Sequence, residues 1–272
     1  MYGHGLSTRV KGIRVETGEE IADEIALEFP INIYINDQHF ITVFATPNEL
    51  KEMVIGQLLG YGIIENIRQI RHVEVDGLDV LVDLDINDDE LKKRLEAYKT
   101  FKLIMTSCGS VEDYLKAFDR INPPRISSDF KIDAGSLRKV VIEFGRRSRA
   151  AVAVHTAGLY SYQEGEVIYV AMDVSRHITV DKVLGKAALQ GADFSKCVLL
   201  TTGRQASDMV LKAARVGIPV TVSLRGPLFS GVYTALKTGV TMVSTVRGKG
   251  LTIYSHPERI INSVSKTTIG GY

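Results

Sequence analysis

KCVLLTTGRQASDMVLKAARVGIPVTVSLRGPLFSGVYTALKTGVTMVSTV, residues 196–246, decides the fold. Three apolar, β-branched runs, around Cys197, Ile218 and Val240, are separated by two stretches of helical periodicity, which close on Gly217 and Gly239. Strands alternating with helices through short Gly-capped connections predict an α/β domain with a parallel sheet. In such units every loop leaving the carboxyl end of a strand emerges on one edge of the sheet, where open α/β folds hold their ligands. Here those loops read Thr202-Gly203-Arg204, Arg225-Gly226-Pro227 and Arg247-Gly248-Lys249-Gly250. Taken singly, each is a solvated arginine beside a turn glycine. Three on one edge, two of them opening helices, predict a phosphate cradle: helix N-termini favour negative charge and guanidinium groups grip phosphate in pairs of hydrogen bonds.

Upstream, AMDVSRHITVDKVLG (residues 171–185) is the densest polar stretch. Thr179 suits a helix cap and Asp181 a first turn, but Arg176 and His177 stand where cations oppose the helix dipole. An anionic ligand or a carboxylate partner is expected for them. Before this stretch, AVAVHTAG and EVIYVAMD flank a Glu164-Gly165 turn and predict a hairpin, and SLRKVVIEFG predicts a helix capped by Gly145. INPPRISSDF, residues 121–130, has two prolines and no periodicity. It reads as a linker, which places a C-terminal α/β domain over 132–272 and a smaller α+β lobe over 25–122. In that lobe, INIYIND and HFITVFA form one hairpin about Asn36-Asp37, and HVEV and LDVLVDL a second about Asp76-Gly77. TPNE predicts a capping box with Thr46 as cap, opening a helix with Leu50, Met53, Val54 and Leu58 on its apolar face and Gly60 and Gly62 at its end. A charged helix is expected over Asp88–Tyr98, and another from Ser110, burying Leu115 and Phe118. Residues 1–24 are polar and read as a flexible tail without the apolar segment of a signal peptide.

Composition narrows the classes of function. Thirty-three basic residues against thirty-two acidic leave a net charge of +1, so no whole-molecule field would draw nucleic acid or an anionic membrane. No apolar stretch approaches the ~20 residues of a membrane span, and a cytoplasmic protein is expected. Two cysteines cannot make a disulfide framework or a thiolate zinc site. His72-Val73-Glu74 matches half of a zinc deaminase signature, but the companion P-C-x-x-C is absent and the other histidines never fall at ligand spacing, so no structural metal is expected. Neither GxGxxG nor a P-loop occurs.

Cys197 lies inside an apolar strand and reads as core. Cys108, in LIMTSCGSVEDY, precedes the expected helix start at Ser110 and adjoins Gly109. A helix N-terminus lowers a thiol pKa, which makes Cys108 a candidate nucleophile; the competing reading is a small buried apolar residue.

These segments together resemble the FdhD family of formate dehydrogenase accessory proteins, from about Ile25 to Ile260. ATPNELKEMVIGQLLGYGII (45–64) is similar to the family's TP…ELAIGFLLSEGII helix. MDVSRHITVDKVLG (172–185) resembles EDVGRHNAVDKVIG, the most specific match. TTGRQASDMVLKAARVGIPV (201–220) and TVRGKGLTIYSHPERI (245–260) match two further segments. The resemblance implies a cytidine-deaminase-like α/β sandwich with a partly parallel central sheet and no zinc, assembled as a homodimer. It implies a sulfurtransferase, in which Cys108 takes sulfane sulfur from a cysteine desulfurase. The acceptor would be a molybdenum bis(molybdopterin guanine dinucleotide), or its tungsten analogue, bound transiently for formate dehydrogenase or a related oxidoreductase. Thr245, Val246, Arg247, Gly248, Lys249 and Gly250 would form the cofactor segment, joined by Arg204, Arg225, Arg176 and His177. The sequence departs from the family at several points. The second cysteine of CGxCG is Val111, the histidine of TGGxH is Tyr160, Met172 replaces a glutamate and Ser175 a glycine, and Arg225 and Leu228 fall in a usual S-A-P-T. A two-thiol mechanism in this loop is thereby excluded. What remains is a one-cysteine persulfide carrier or a non-catalytic cofactor-binding chaperone. A nucleotide-modifying enzyme on the same scaffold lacks the zinc ligands it would need.

Overall fold

The computed structural model describes residues 7–106, 123–148, 153–246 and 250–262. In chain order the elements are β1 (Ser7–Ile13), β2 (Glu20–Ala26), β3 (Phe29–Ile35), β4 (Gln38–Ala45), α1 (Leu50–Tyr61), β5 (Ile70–Asp76), β6 (Asp79–Leu84) and α2 (Asp88–Thr106). After residues 107–122 come β7 (Ile132–Asp133), α3 (Ala134–Arg147), β8 (His155–Ser161), β9 (Glu166–Asp173), α4 (Arg176–Leu189), β10 (Cys197–Thr201) and α5 (Ser207–Val216). The chain continues through β11 (Val220–Ser223), α6 (Phe229–Thr238), β12 (Thr241–Val246), β13 (Gly250–Ile253) and β14 (Ile260–Ile261).

The C-terminal sheet runs β13-β12-β11-β10-β8-β9, and β10, β11 and β12 are parallel as the strand–helix rhythm requires. Its central strands are buried on both faces. Val198, Leu200, Val220, Val222 and Val243 pack toward Leu137, Val140 and Phe144 of α3, whereas Cys197 and Leu199 meet Val180, Val183 and Leu184 of α4 and Met209 and Ala213 of α5. The alternation follows from the two-residue period of a strand. The N-terminal sheet runs β4-β3-β6-β5 and buries Ile31, Ile33, Val80 and Val82 beneath Met53, Val54 and Leu58 of α1.

Helix α1 joins the two lobes, and it is buried nearly all round rather than on one stripe. One side faces the N-terminal sheet; the other packs on α4 so closely that glycine is required at the crossing. A Cβ on Gly56 would lie 1.8 Å from the Asp181 carbonyl oxygen, and one on Gly185 equally close to that of Glu52. The lobes therefore share one continuous helical layer. Both expected N-terminal hairpins are present, and Asn36 and Asp37 adopt the positive φ (47° and 63°) that a tight two-residue turn demands.

Four local expectations are corrected by the structure. Residues 7–24, expected within the flexible tail, carry paired strands: β1 and β2 run antiparallel from Ser7↔Ala26 to Ile13↔Glu20, closed by a Gly18 N–H to Arg14 carbonyl bond and an exposed Lys11–Glu20 ion pair. Opposite charges facing across the strands let a polar sequence form a ladder. Thr46 does not cap α1. The helix follows Glu49, itself left-handed at φ 50°, without a side-chain cap, because Thr46 is used elsewhere. Helix α3 runs through Gly145 to Arg147 and is capped by Asp133, whose carboxylate accepts the Ser136 N–H. Thr179 and Asp181 are likewise neither cap nor first-turn acid: α4 begins at Arg176, which puts both inside the helix, and both are fully buried. The expected helix from Ser110, with Leu115 and Phe118, lies outside the described residues.

Candidate functional site

Because β8 runs antiparallel to β10, and β9 to β8, the start of β8 and the end of β9 lie on the same edge as the carboxyl ends of β10, β11 and β12. Residues from five strands therefore converge there. The loops are tied to one another by short hydrogen bonds. Thr156 N–H donates to Thr202 Oγ1 (2.9 Å), Ser223 Oγ to the Gly203 carbonyl (2.7 Å), and Gln205 Nε2 to the Val243 carbonyl (2.8 Å) and Ser244 Oγ (3.2 Å). Gln205 in turn receives the Leu228 N–H on its own carbonyl (3.1 Å), which fixes the entry to α6.

This edge is cationic by construction. Arg176, Arg204 and Arg225 form no ion pair among the described residues. Their neighbour His155, at the start of β8, is held below the ordinary imidazole value by burial and then by the charges of Arg176, His177 and Arg225, which Asp173 only partly offsets. At position 203 the backbone has no room for a side chain. A Cβ on Gly203 would lie 2.7 Å from that of Arg176, so glycine lets the Arg176 side chain lie across the loop after β10. The Gly203 N–H does not face a ligand, as it donates to Thr201 Oγ1 (3.0 Å). The Arg225 N–H is also committed, to Ser223 Oγ (2.8 Å). Helices α4, α5 and α6 all begin on this edge, and none of their N-cap residues Ser175, Ala206 and Leu228 caps its helix with a side chain. Two buried polar atoms here, Arg176 Nε and Thr156 Oγ1, also lack hydrogen-bond partners among the described residues. Guanidinium groups and the positive ends of helices are the chemistry of an oxyanion site.

Beneath the edge lies a paired ionic layer that no local sequence signal announces. Lys182 Nζ contacts Asp173 Oδ2 at 2.7 Å with both side chains fully buried, and also donates to the Thr46 carbonyl and Asn48 Oδ1. Asp173 accepts the Thr46 N–H (3.0 Å) and Ser175 N–H (2.8 Å). Burial raises the Asp173 carboxyl and lowers the Lys182 amine, each partner opposing the other's shift. Lys212 pairs with Asp181 at 2.6 Å and lies 4.6 Å over the Tyr61 ring. Burial pushes Asp181 up to about 6 against the pull of Lys212; Lys212 itself is held above the ordinary amine value, since Asp181, Tyr61 and Asp208 outweigh its own desolvation. His177 finds the expected carboxylate partner: its Nδ1 meets Asp208 Oδ2 at 2.5 Å.

The structure thus brings together Arg176, His177, Arg204 and Arg225, with Thr245 at the end of β12 and Gly250, at φ 71°, opening β13. Val246 pairs with Gly250 through the backbone ladder. Cys108, Arg247, Gly248 and Lys249 lie outside the described residues. Cys197 is buried, and desolvation pushes its thiol up to about 12, the behaviour of an inert core cysteine. Sequence reasoning missed His155, Thr156 and Asp208. A lone histidine at a strand start carries no local signal, and Asp208 reads as an ordinary first-turn acid. Among the described residues no three His, Cys, Asp or Glu side chains cluster as metal ligands, and no helix is long and apolar enough to cross a membrane.

Comparison with known proteins agrees with this architecture. The profile of the FdhD/NarQ family matches residues 26–261. The sulfur carrier protein FdhD of Methanothermobacter thermautotrophicus is 33% identical over 267 residues, covering 96% of this chain and 99% of its own. The sulfur carrier protein FdhD of Staphylococcus aureus (strain JH9) is 30% identical over 256 residues, 92% of this chain and 95% of its own. Among solved structures, a protein from Desulfotalea psychrophila described as a formate dehydrogenase accessory protein superposes with a TM-score of 0.71 at 27% identity, covering 94% of this chain and all of its own.

Proposed function

The chain belongs to the FdhD/NarQ family, and on that footing we propose that it is a sulfur carrier serving formate dehydrogenase, with Cys108 as the carrying residue and the cationic sheet edge as the seat of the acceptor. In the loading step the Cys108 thiolate attacks the outer sulfur of a cysteine desulfurase persulfide. The donor's S–S bond breaks, its cysteine leaves as a thiolate, and Cys108 keeps the outer sulfur as its own persulfide. The acceptor is treated as a substrate: a molybdenum or tungsten bis(pterin guanine dinucleotide), which carries pyrophosphate groups and planar rings. The residues at the edge fit such an anion. Arg176, Arg204 and Arg225 supply charge-assisted donors, the N-termini of α4, α5 and α6 supply the positive ends of three helix dipoles, and Thr245, Val246 and Gly250 border the same edge.

The single observation that carries the acceptor site is three arginines without ion pairs among the described residues beside three helix N-termini, on one edge. GDP, a fragment of the proposed acceptor, tests it by calorimetry. A charge-assisted hydrogen bond contributes about 1.5–3 kcal/mol, so Arg225→Ala should weaken GDP about tenfold or more, and rising salt should weaken the wild type more steeply than the variant. Equal affinity in the two proteins removes Arg225 from the site. No GDP binding in the wild type removes the site itself.

A further inference from the structure

Four residues past Arg225, at the first position of α6, Phe229 leaves about half of its surface exposed (52%). Its ring stacks on Tyr233, one helical turn on, with centroids 6.5 Å apart and planes 22° apart. Tyr233 carries Lys237 Nζ 5.4 Å above its own ring. The result is a flat aromatic surface on the outside of α6, beginning where the cationic edge ends. Its position is fixed, since the Leu228 N–H to Gln205 carbonyl bond and the Gln205 bonds to β12 hold the start of α6 against the neighbouring loops. The half of the ring left open to water gains nothing for the fold of this chain. Placed beside phosphate donors, it offers what a nucleotide needs at its other end: a π-face on which a base can stack.

We infer that Phe229, backed by Tyr233, is the stacking platform for the base of a nucleotide whose phosphates are held at Arg204 and Arg225. The inference rests on the acceptor site proposed above and adds to it the element that discriminates a nucleotide from a bare phosphate. Arginines and helix amides grip any oxyanion, whereas an exposed ring rewards only a ligand with a planar base attached at the right reach.

Two probes separate the platform from the cradle, GDP and inorganic pyrophosphate, measured by calorimetry on the full chain. Phe229→Ala should weaken GDP about tenfold, equivalent to about 1.4 kcal/mol, and leave pyrophosphate unchanged. Phe229→Trp should retain or strengthen GDP binding. Arg225→Ala should weaken both probes. Phe229 is exposed and its replacement removes no core contact, so unchanged circular dichroism is expected throughout. If GDP binds wild type and Phe229→Ala alike, or if Phe229→Ala loses pyrophosphate as much as GDP, the platform is overturned while the cradle stands. If neither probe binds the wild type, both are overturned. If Phe229→Ala alters only the oligomeric state, seen by light scattering, the ring belongs to an interface and the inference fails.

Discussion

In cells that lack their own accessory protein, the wild type and Cys197→Ser should restore formate dehydrogenase activity, and Cys108→Ser should restore none. The contrast comes from the chemistry of the two thiols. Sulfur transfer runs through a thiolate, and Cys197 is held protonated inside β10, its thiol pushed up to about 12 by burial. With Val111 in place of a second cysteine three residues on, Cys108 and Cys197 are the two thiols of the sequence, so no third can stand in for Cys108. Full activity from Cys108→Ser would end the carrier reading and leave a protein that binds the cofactor without transferring sulfur.

The second large effect is on stability. Lys212→Met should destabilise the fold by about 3–5 kcal/mol, because it leaves the Asp181 carboxylate buried with its ion-pair partner removed. The loss should appear as a lower urea midpoint with little change in slope, and pairing it with Asp181→Asn should recover most of it. Acidity should modulate it in a stated direction. Burial raises the Asp181 carboxyl from its ordinary 3.8 to about 6, so the native chain holds that proton more tightly than the unfolded one. The contribution of Asp181 to stability therefore falls as pH rises through the window from about 4 to about 6 and is level above it. In Lys212→Met the window extends to higher pH. A loss under about 1 kcal/mol at neutral pH would mean that water or a neighbouring group already screens Asp181.

The contrast between what could and could not be read from the sequence has a physical basis. The parallel strands β10 to β12, the turns at Asn36-Asp37 and Asp76-Gly77, and the end of α1 at Gly62 depend on periodicity and φ, which are local properties. The edge arginines were legible for the same reason, since the topology of βαβ units sends their loops to one side. The misread residues are those whose partners are distant. Thr46 has every feature of a helix cap, yet its N–H goes to Asp173 and its carbonyl receives Lys182, over 120 residues away. Asp181 suits a first helical turn by sequence, yet in the structure it is buried and paired with Lys212, 31 residues on, in the layer where α1 packs on α4. Gly203 suggests an amide freed for phosphate, but in the structure it makes room for Arg176 and spends its N–H on Thr201. The polar residues that the family resemblance gathers in one motif, Asp173 to Lys182, therefore divide into two roles. Asp173 and Lys182 tie Thr46 and Asn48 to the C-terminal domain and Asp181 pairs with Lys212 beneath the edge, while Arg176 and His177 stand at the edge itself.

The proposed function puts the chemistry on Cys108 and the edge, and intact-mass spectrometry tests the first of these directly. After incubation with a cysteine desulfurase and cysteine, the wild type and Cys197→Ser should each gain the mass of one sulfur atom. Dithiothreitol should remove the gain, since a persulfide is reducible and a sulfinic acid is not, and Cys108→Ser should gain nothing. An adduct of the same size on Cys108→Ser, or none on the wild type, would contradict the account.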